Sequence, residues 1–401
     1  MKRLIIGILQ LYVCQLYAQY SFFTPEDAFA IEVSLDNTSL KRLPGYRNAI
    51  TSLVVSGDYI IGGTSADAGL TPFVFTASLS KREMHSIVDV ENVIPGQQRI
   101  RTGFSKGKNN TFYAGTLPGV IDKKPNAGGH LIAVTVDAGG HPVIRDLGIP
   151  VPGEGIFSLT IDAKGNNLYG ITYPAGIFFS YSIATKKINT YHDIVPTAKD
   201  TELFSEYLLE ADDYLCSALA VARNGLVLGS APVNRMFAFN PIVQQFEFFK
   251  KEIPEVWGRR SLGQIESWAM AANGKLFAGN AGDGQLLEVD PVSRNIRNLG
   301  KPIMMPRLRG LAFAYNGKLF GIAGALPGYA HLFSYDPAKE GFKDYGNPQF
   351  KMIAPGVEQG IDWRGFQLGT IASSEDGKYI VIGEDEAFSQ LLVFPASAAK
   401  D

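Results

Sequence analysis

Two of the five histidines, His130 and His331, open short apolar segments that can be laid over one another, His130-Leu-Ile-Ala-Val and His331-Leu-Phe-Ser-Tyr. Arg235 opens a third segment of the same kind, Arg235-Met-Phe-Ala-Phe, and Tyr173 stands just before a fourth, Ile177-Phe-Phe-Ser-Tyr. Near neutral pH an imidazole can take or give a proton, and a guanidinium binds and neutralises a carboxylate through two parallel bonds. These types in equivalent places therefore point to proton transfer beside an acidic ligand, with His130 and His331 facing each other across a shared funnel. The competing account is that each is a polar strand end meeting solvent. His85, His141 and His192 fall in outer-strand or turn contexts and read as surface imidazoles.

Other chemistries have no signature. There is no Gly-x-Ser-x-Gly elbow, no phosphate-binding glycine loop followed by Lys, no His-Glu-x-x-His and no cysteine cluster, so neither a metal nor a cofactor is called for. Glu154, Glu266, Asp283 and Asp362 could form an acid pair for glycoside hydrolysis, but nothing fixes a carboxylate separation; Glu266 reads better as a substrate-orienting or structural group. Trp257, Trp268 and Trp363 could stack on a sugar ring, with core packing as the alternative.

The elements that must position these residues announce themselves as repeats. Ala271-Ala272-Asn273-Gly274-Lys275-Leu276-Phe277 and Ala314-Tyr315-Asn316-Gly317-Lys318-Leu319-Phe320 are near copies, and weaker versions surround Gly57, Asn109, Gly165, Gly225 and Gly377. Asn-Gly and Asp-Gly between apolar alternations signal tight hairpins, because their central residues must tolerate positive φ. Four antiparallel strands recurring at roughly 45 to 60 residues form an all-β, seven-bladed β-propeller, since one such sheet buries both faces only between neighbours. A sandwich would not explain the repeated hairpins, and a β-helix needs a shorter period. First strands begin near Ile50, Arg101, Ile156, Cys216, Ile265, Arg309 and Gly369. The last blade holds only three strands, and residues 28–35 alternate as a strand would, so an N-terminal strand is expected to close the ring.

Composition agrees. Forty-three glycines, 22 prolines, 25 Phe and 17 Tyr suit many short aromatic strands, and 46% apolar residues can fill a large core. With 37 basic against 39 acidic side chains there is no electrostatic case for nucleic acid or an anionic membrane, so any anion site is local. Residues 1–18 read as a secretory signal peptide, with Lys2 and Arg3 ahead of an apolar run and Ala18 as the small residue; lipidation at Cys14 is the alternative. Residues 19–401 are then one exported, monomeric domain without a membrane span, in which Cys216 alone remains and no intramolecular disulfide can form.

In such a blade, the start of the first strand and the loop between second and third strands share one face. That face collects Arg99, Arg101, Glu154, Tyr214, Glu266, Trp268, Arg307, Arg309, Asp362 and Arg364 from first strands. Tyr173, Asn234, Arg235, Asp283, Tyr329, His130 and His331 come from the loops. Arg101, Tyr214, Glu266 and Arg309 are the expected substrate-binding groups. The long loop from Thr116 to Gly129 could cover a ligand.

The run Leu168-Tyr169-Gly170-Ile171-Thr172-Tyr173-Pro174-Ala175-Gly176-Ile177-Phe178-Phe179-Ser180-Tyr181, after Pro152-Gly153-Glu154-Gly155-Ile156-Phe157, resembles a segment of secreted bacterial propellers of polysaccharide breakdown. The whole mature chain is similar to the seven-bladed ulvan lyases and to the oligosaccharide dehydratase found with them. That resemblance implies β-elimination on a uronate-containing glycan by His, Tyr and Arg of the funnel face, here His130, Tyr173, Arg235 and His331. Ile177 stands where many relatives carry His. Elimination of a glycosidic oxygen would make the enzyme a polysaccharide lyase, and elimination of a hydroxyl a dehydratase. The reading from a different class is a non-catalytic glycan- or protein-binding propeller; a streptogramin-type lyase or lactonase stands third, for want of a metal-ligand set.

Overall fold

The computed structural model describes residues 22–33, 35–36, 41–42, 48–119, 128–192, 194, 205, 210–254, 264–324, 330–350, 363–364, 367–385 and 390–400. Residues 1–18, Trp257, Tyr329, Asp362 and most of the loop before His130 lie outside them; for Trp363 and Arg364 only the backbone strand is described.

The described strands follow one another along the chain as antiparallel meanders, mostly of four strands, and the first two meanders share one nine-stranded sheet through Ser65 opposite Arg99. Strands Asn48–Ser56, Tyr59–Ala66, Phe73–Ser78 and Glu83–Asp89 make the first. Sheets beginning at Gly155, Ala220 and Ile265 each have four strands in simple up-down order, and the one beginning at Leu308 has six, because its strand Gly341–Phe350 also pairs with Phe22–Phe23 and Trp363–Arg364. The last runs Leu368–Ser373, Tyr379–Glu384 and Gln390–Pro395, and its fourth strand is Phe29–Glu32, paired antiparallel to Gln390–Pro395 with Ile31 opposite Leu391. The N-terminal strand thus covers an edge that would otherwise offer unpaired backbone groups.

Glycines in second strands explain how the sheets lie so close. A Cβ at Gly279 would stand 2.7 Å from Leu308 of the next sheet's inner strand, and one at Gly383 would stand 2.7 Å from Ile50. The Gly383 contact joins the last sheet to the first. The hairpin residues behave as their chemistry requires: Gly274 and Gly317 have φ of 89° and 78°, and Asn109 and Asn110 supply positive φ where no glycine is present.

Two first strands differ from expectation. The fourth sheet's begins at Ala220, because Cys216 is buried with its thiol held by Ala218 O and the Ser230 amide; Tyr214 therefore sits on the short helix Ala211–Tyr214. The second sheet's is broken into Gln97–Ile100 and Ser105–Lys106, leaving Arg101 in the gap.

Candidate functional site

Inner strands surround a cavity of about 700 Å³ whose wall includes Thr51, Ser65, Asp67, Arg99, Arg101, Glu266, Trp268, Arg307, Arg309 and Asp385. Arg101 reaches this wall because its strand is interrupted. In the gap its amide donates to Gly115 O at 3.0 Å, and Thr102 Oγ1 accepts the Gly115 amide at 2.8 Å. The guanidinium then lies 4.2 Å from the ring centre of Phe157, which in turn stacks on Tyr173 at 5.6 Å and 18°. Tyr214 packs into the same cluster with Ala211 and Leu215. Trp268 lines the cavity while its indole N–H donates to Ala218 O at 3.0 Å, so it is both a wall and a packing residue.

The four arginines divide into two kinds. Arg307, whose φ of 67° is left-handed for a residue with a side chain, grips both oxygens of Glu266, with Nε to Oε2 at 3.0 Å. Arg309 pairs through Nη2 with Asp385 and through Nη1 with Leu368 O at 3.1 Å. Among the described residues, neither Arg99 nor Arg101 has a carboxylate within ion-pair distance. Burial lowers Arg101 below the ordinary guanidinium value; Asp212 and Glu266 pull the other way, and Arg307 and Arg99 add to the lowering. Among the described residues, then, no direct ion pair neutralises Arg99 or Arg101.

Burial alone would raise the Glu266 carboxyl, but Arg307, Arg309 and Arg101 outweigh it and hold the group below its ordinary value. A depressed folded value means the pair's contribution is present above the unfolded value and disappears as pH falls through the folded one. Glu266→Gln should therefore be less stable than wild type at pH 7, with the gap closing below about pH 4; urea titrations across that range measure it. Because Arg307 remains 41% exposed, solvent screening keeps the gap modest.

His130 and His331 occupy equivalent positions, as expected, but neither is among the described lining residues. His130 Nδ1 lies 2.9 Å from Asp146 Oδ1, and Asp146 also accepts the Gly148 amide at 2.7 Å. His331 Nδ1 lies 3.0 Å from Asp344 Oδ1, which accepts the Gly346 amide at 2.8 Å. In the sheet beginning at Ile265 the same arrangement is built from amides: Asn298 donates to Gln285 at 2.7 Å and accepts the Gly300 amide at 2.9 Å. All three sit where third and fourth strands slip register, at Leu131 with Gly148, Leu286 with Gly300 and Leu332 with Gly346. An amide pair doing the same work identifies a clamp across a bulge. Replacing either histidine by Gln is expected to change ligand affinity and turnover less than about twofold, measured on the purified variants.

The other nominated residues divide similarly. Arg101, Glu266 and Arg309 line the cavity. Tyr173 and Tyr214 stand behind Arg101, and burial raises both phenols above their ordinary value, Asp212 and Glu210 adding to the effect at Tyr173. Arg235 is turned to its own sheet, donating Nε to Pro232 O at 2.6 Å with its guanidinium 4.8 Å from the Phe248 ring centre. Glu154 accepts the Ala175 amide at 2.9 Å, while Asn234 and Asp283 are buried. The sequence reading missed Asp67 and Asp385. Each directly follows a second strand, Tyr59–Ala66 or Tyr379–Glu384, and the alignment of the two hairpins was the available signal. No group of three or more His, Cys, Asp or Glu that could hold a metal occurs among the described residues.

Fold and cavity together define a β-propeller with an arginine-rich central site. Among solved structures the chain is similar to virginiamycin B lyase from Staphylococcus aureus, with 10% identity, 92% of this chain and 99% of that one covered, and a TM-score of 0.56. An inactive variant of that lyase with quinupristin gives 11% identity, 92% and 100% coverage, and a TM-score of 0.59. The extracellular domain of a protein described as a hybrid two-component system from B. thetaiotaomicron matches at 12% identity and a TM-score of 0.58, over 94% of this chain and 42% of that one. At these identities the likeness concerns the fold alone. No protein-family description and no curated protein matches the chain.

Proposed function

We propose that the chain is an exported carbon–oxygen lyase that holds the carboxylate of a uronate-containing oligo- or polysaccharide on Arg99 and Arg101 and eliminates across C4 and C5. The observation that carries this reading is the pair of cavity arginines with no carboxylate partner among the described residues. Abstraction of the C5 proton is opposed by the adjacent carboxylate, and a preorganised guanidinium pair neutralises the charge that develops there. Asp67 lines the same wall, exposed and in no ion pair with an arginine among the described residues, and is the base in this reading. Tyr173, one ring behind Arg101 and outside the described wall, serves in this reading to hold Phe157, and through it Arg101, in place. The leader-like residues 1–18 and the likeness to an extracellular domain support export, and among the described residues no helix is long and apolar enough to cross a membrane.

Incubation with glucuronate-rhamnose oligosaccharides should yield the absorbance of a 4,5-unsaturated uronate. No chromophore with any uronate glycan would reject elimination. One observation favours a second reading, binding without turnover: the described wall has no histidine, and Glu266 and Asp385 are engaged by arginines. Tight calorimetric binding with unchanged ligand mass would select it.

A further inference from the structure

The cavity holds four arginines, yet two of them are already met by acids that the same inner ring supplies. Glu266 is only 9% exposed and spends both oxygens on Arg307; Asp385 meets Arg309 and lies 3.5 Å from Gln367 Nε2. These acids come from different sheets, Glu266 from a first strand and Asp385 from the residue after a second strand, so the arrangement is not one local loop's accident. Neutralising Arg307 and Arg309 while leaving Arg99 and Arg101 open gives the site two available forks rather than four. An internal carboxylate set against an anion site repels surplus negative charge in the ligand, and such a repulsive element is how a binding site acquires selectivity as distinct from affinity.

We infer that Glu266 and Asp385 are specificity-determining residues that restrict the cavity to ligands presenting one carboxylate and exclude those with a second anionic group in the same sugar unit. The inference rests on the reading of the cavity as a uronate site and adds the charge that its ligand must carry. A monocarboxylate needs only the forks of Arg99 and Arg101 for its charge. A dicarboxylate brings its second group toward arginines whose forks are occupied, and meets Glu266 or Asp385 at close range. With either acid replaced by its amide, the neighbouring guanidinium becomes available and the second carboxylate gains a partner in place of a repelling charge.

Calorimetric titration of the whole protein with D-glucuronate and with D-glucarate, its dicarboxylate counterpart, tests this in wild type, Glu266→Gln and Asp385→Asn. Wild type should bind glucuronate at least as well as glucarate. Each amide variant should shift the ratio toward glucarate by about tenfold or more, the scale of one charge contact in a partly buried site. Two variants are needed because loss of Glu266 leaves Arg307 without its partner, and a fold failure in one leaves the other to decide. Glucuronate binding with an unchanged ratio in the folded variants would overturn the selectivity role and leave the uronate reading standing. Failure of wild type and variants to bind glucuronate would overturn both.

Discussion

Arg101→Ala is expected to weaken binding of a glucuronate-containing oligosaccharide by about a hundredfold, and Arg101→Lys to recover only a minor part of the loss. The first figure follows from removing a charge-assisted, two-bond grip at the centre of a desolvated site, about 2 to 4 kcal/mol. The second follows from geometry: a lysine has neither the planar fork nor the flat face that lets Arg101 lie on Phe157 at 4.2 Å. Calorimetry on each variant, with a circular dichroism check of folding, measures both. The side chain lines a cavity and touches its neighbouring sheet only through the Phe157 ring, so the fold should survive. Unchanged affinity in Arg101→Ala would move the carboxylate elsewhere.

The second large effect is on stability. Ile31 is 1% exposed in the strand that completes the last sheet, packed in a cluster with Val381, Leu391 and Ile50 from both ends of the chain. Ile31→Ala should cost about 2 to 5 kcal/mol, and Ile31→Val about 0.5 to 1.5 kcal/mol, because the cavity left in a junction between first and last sheets cannot collapse without parting them. Denaturant unfolding gives the values. A loss below about 1 kcal/mol for the alanine variant would mean that the N-terminal strand adds little to the direct packing of the last sheet on the first, such as Gly383 against Ile50.

Much of this architecture was legible because the features that make it are local and repeated. Asn273-Gly274 and Asn316-Gly317 demand positive φ in the chain itself, and the alternation around Phe29 to Glu32 names a strand without reference to its partner. The site was legible in part. Arg101, Glu266 and Arg309 came from counting along first strands, and that count holds wherever the strand is regular. It could not show that the strand would be interrupted at Arg101, or that Arg307 and Arg309 would be claimed by acids of other sheets, since ion pairs such as Arg309 with Asp385 join residues far apart in sequence. The histidines were legible as equivalent positions, whereas their pairing with Asp146 and Asp344 was not. Their equivalence with Gln285 emerges only when Asp146, Asn298 and Asp344 are seen in the same relation to a slipped strand pair. Repetition in a propeller marks what each sheet needs, whereas the cavity wall also holds residues that break the repeat, such as Arg101 in its strand gap and Arg307 with its left-handed backbone.

The most direct test of a carboxylate held in this cavity is a paired calorimetric titration of the wild-type protein with a glucuronate-containing oligosaccharide and with the same oligosaccharide after its carboxyl groups have been reduced to primary alcohols. Loss of affinity by about a hundredfold on reduction is the expected result, because Arg99 and Arg101 would then face a group that offers neither charge nor two parallel acceptors. Equal affinity for the two ligands would contradict it.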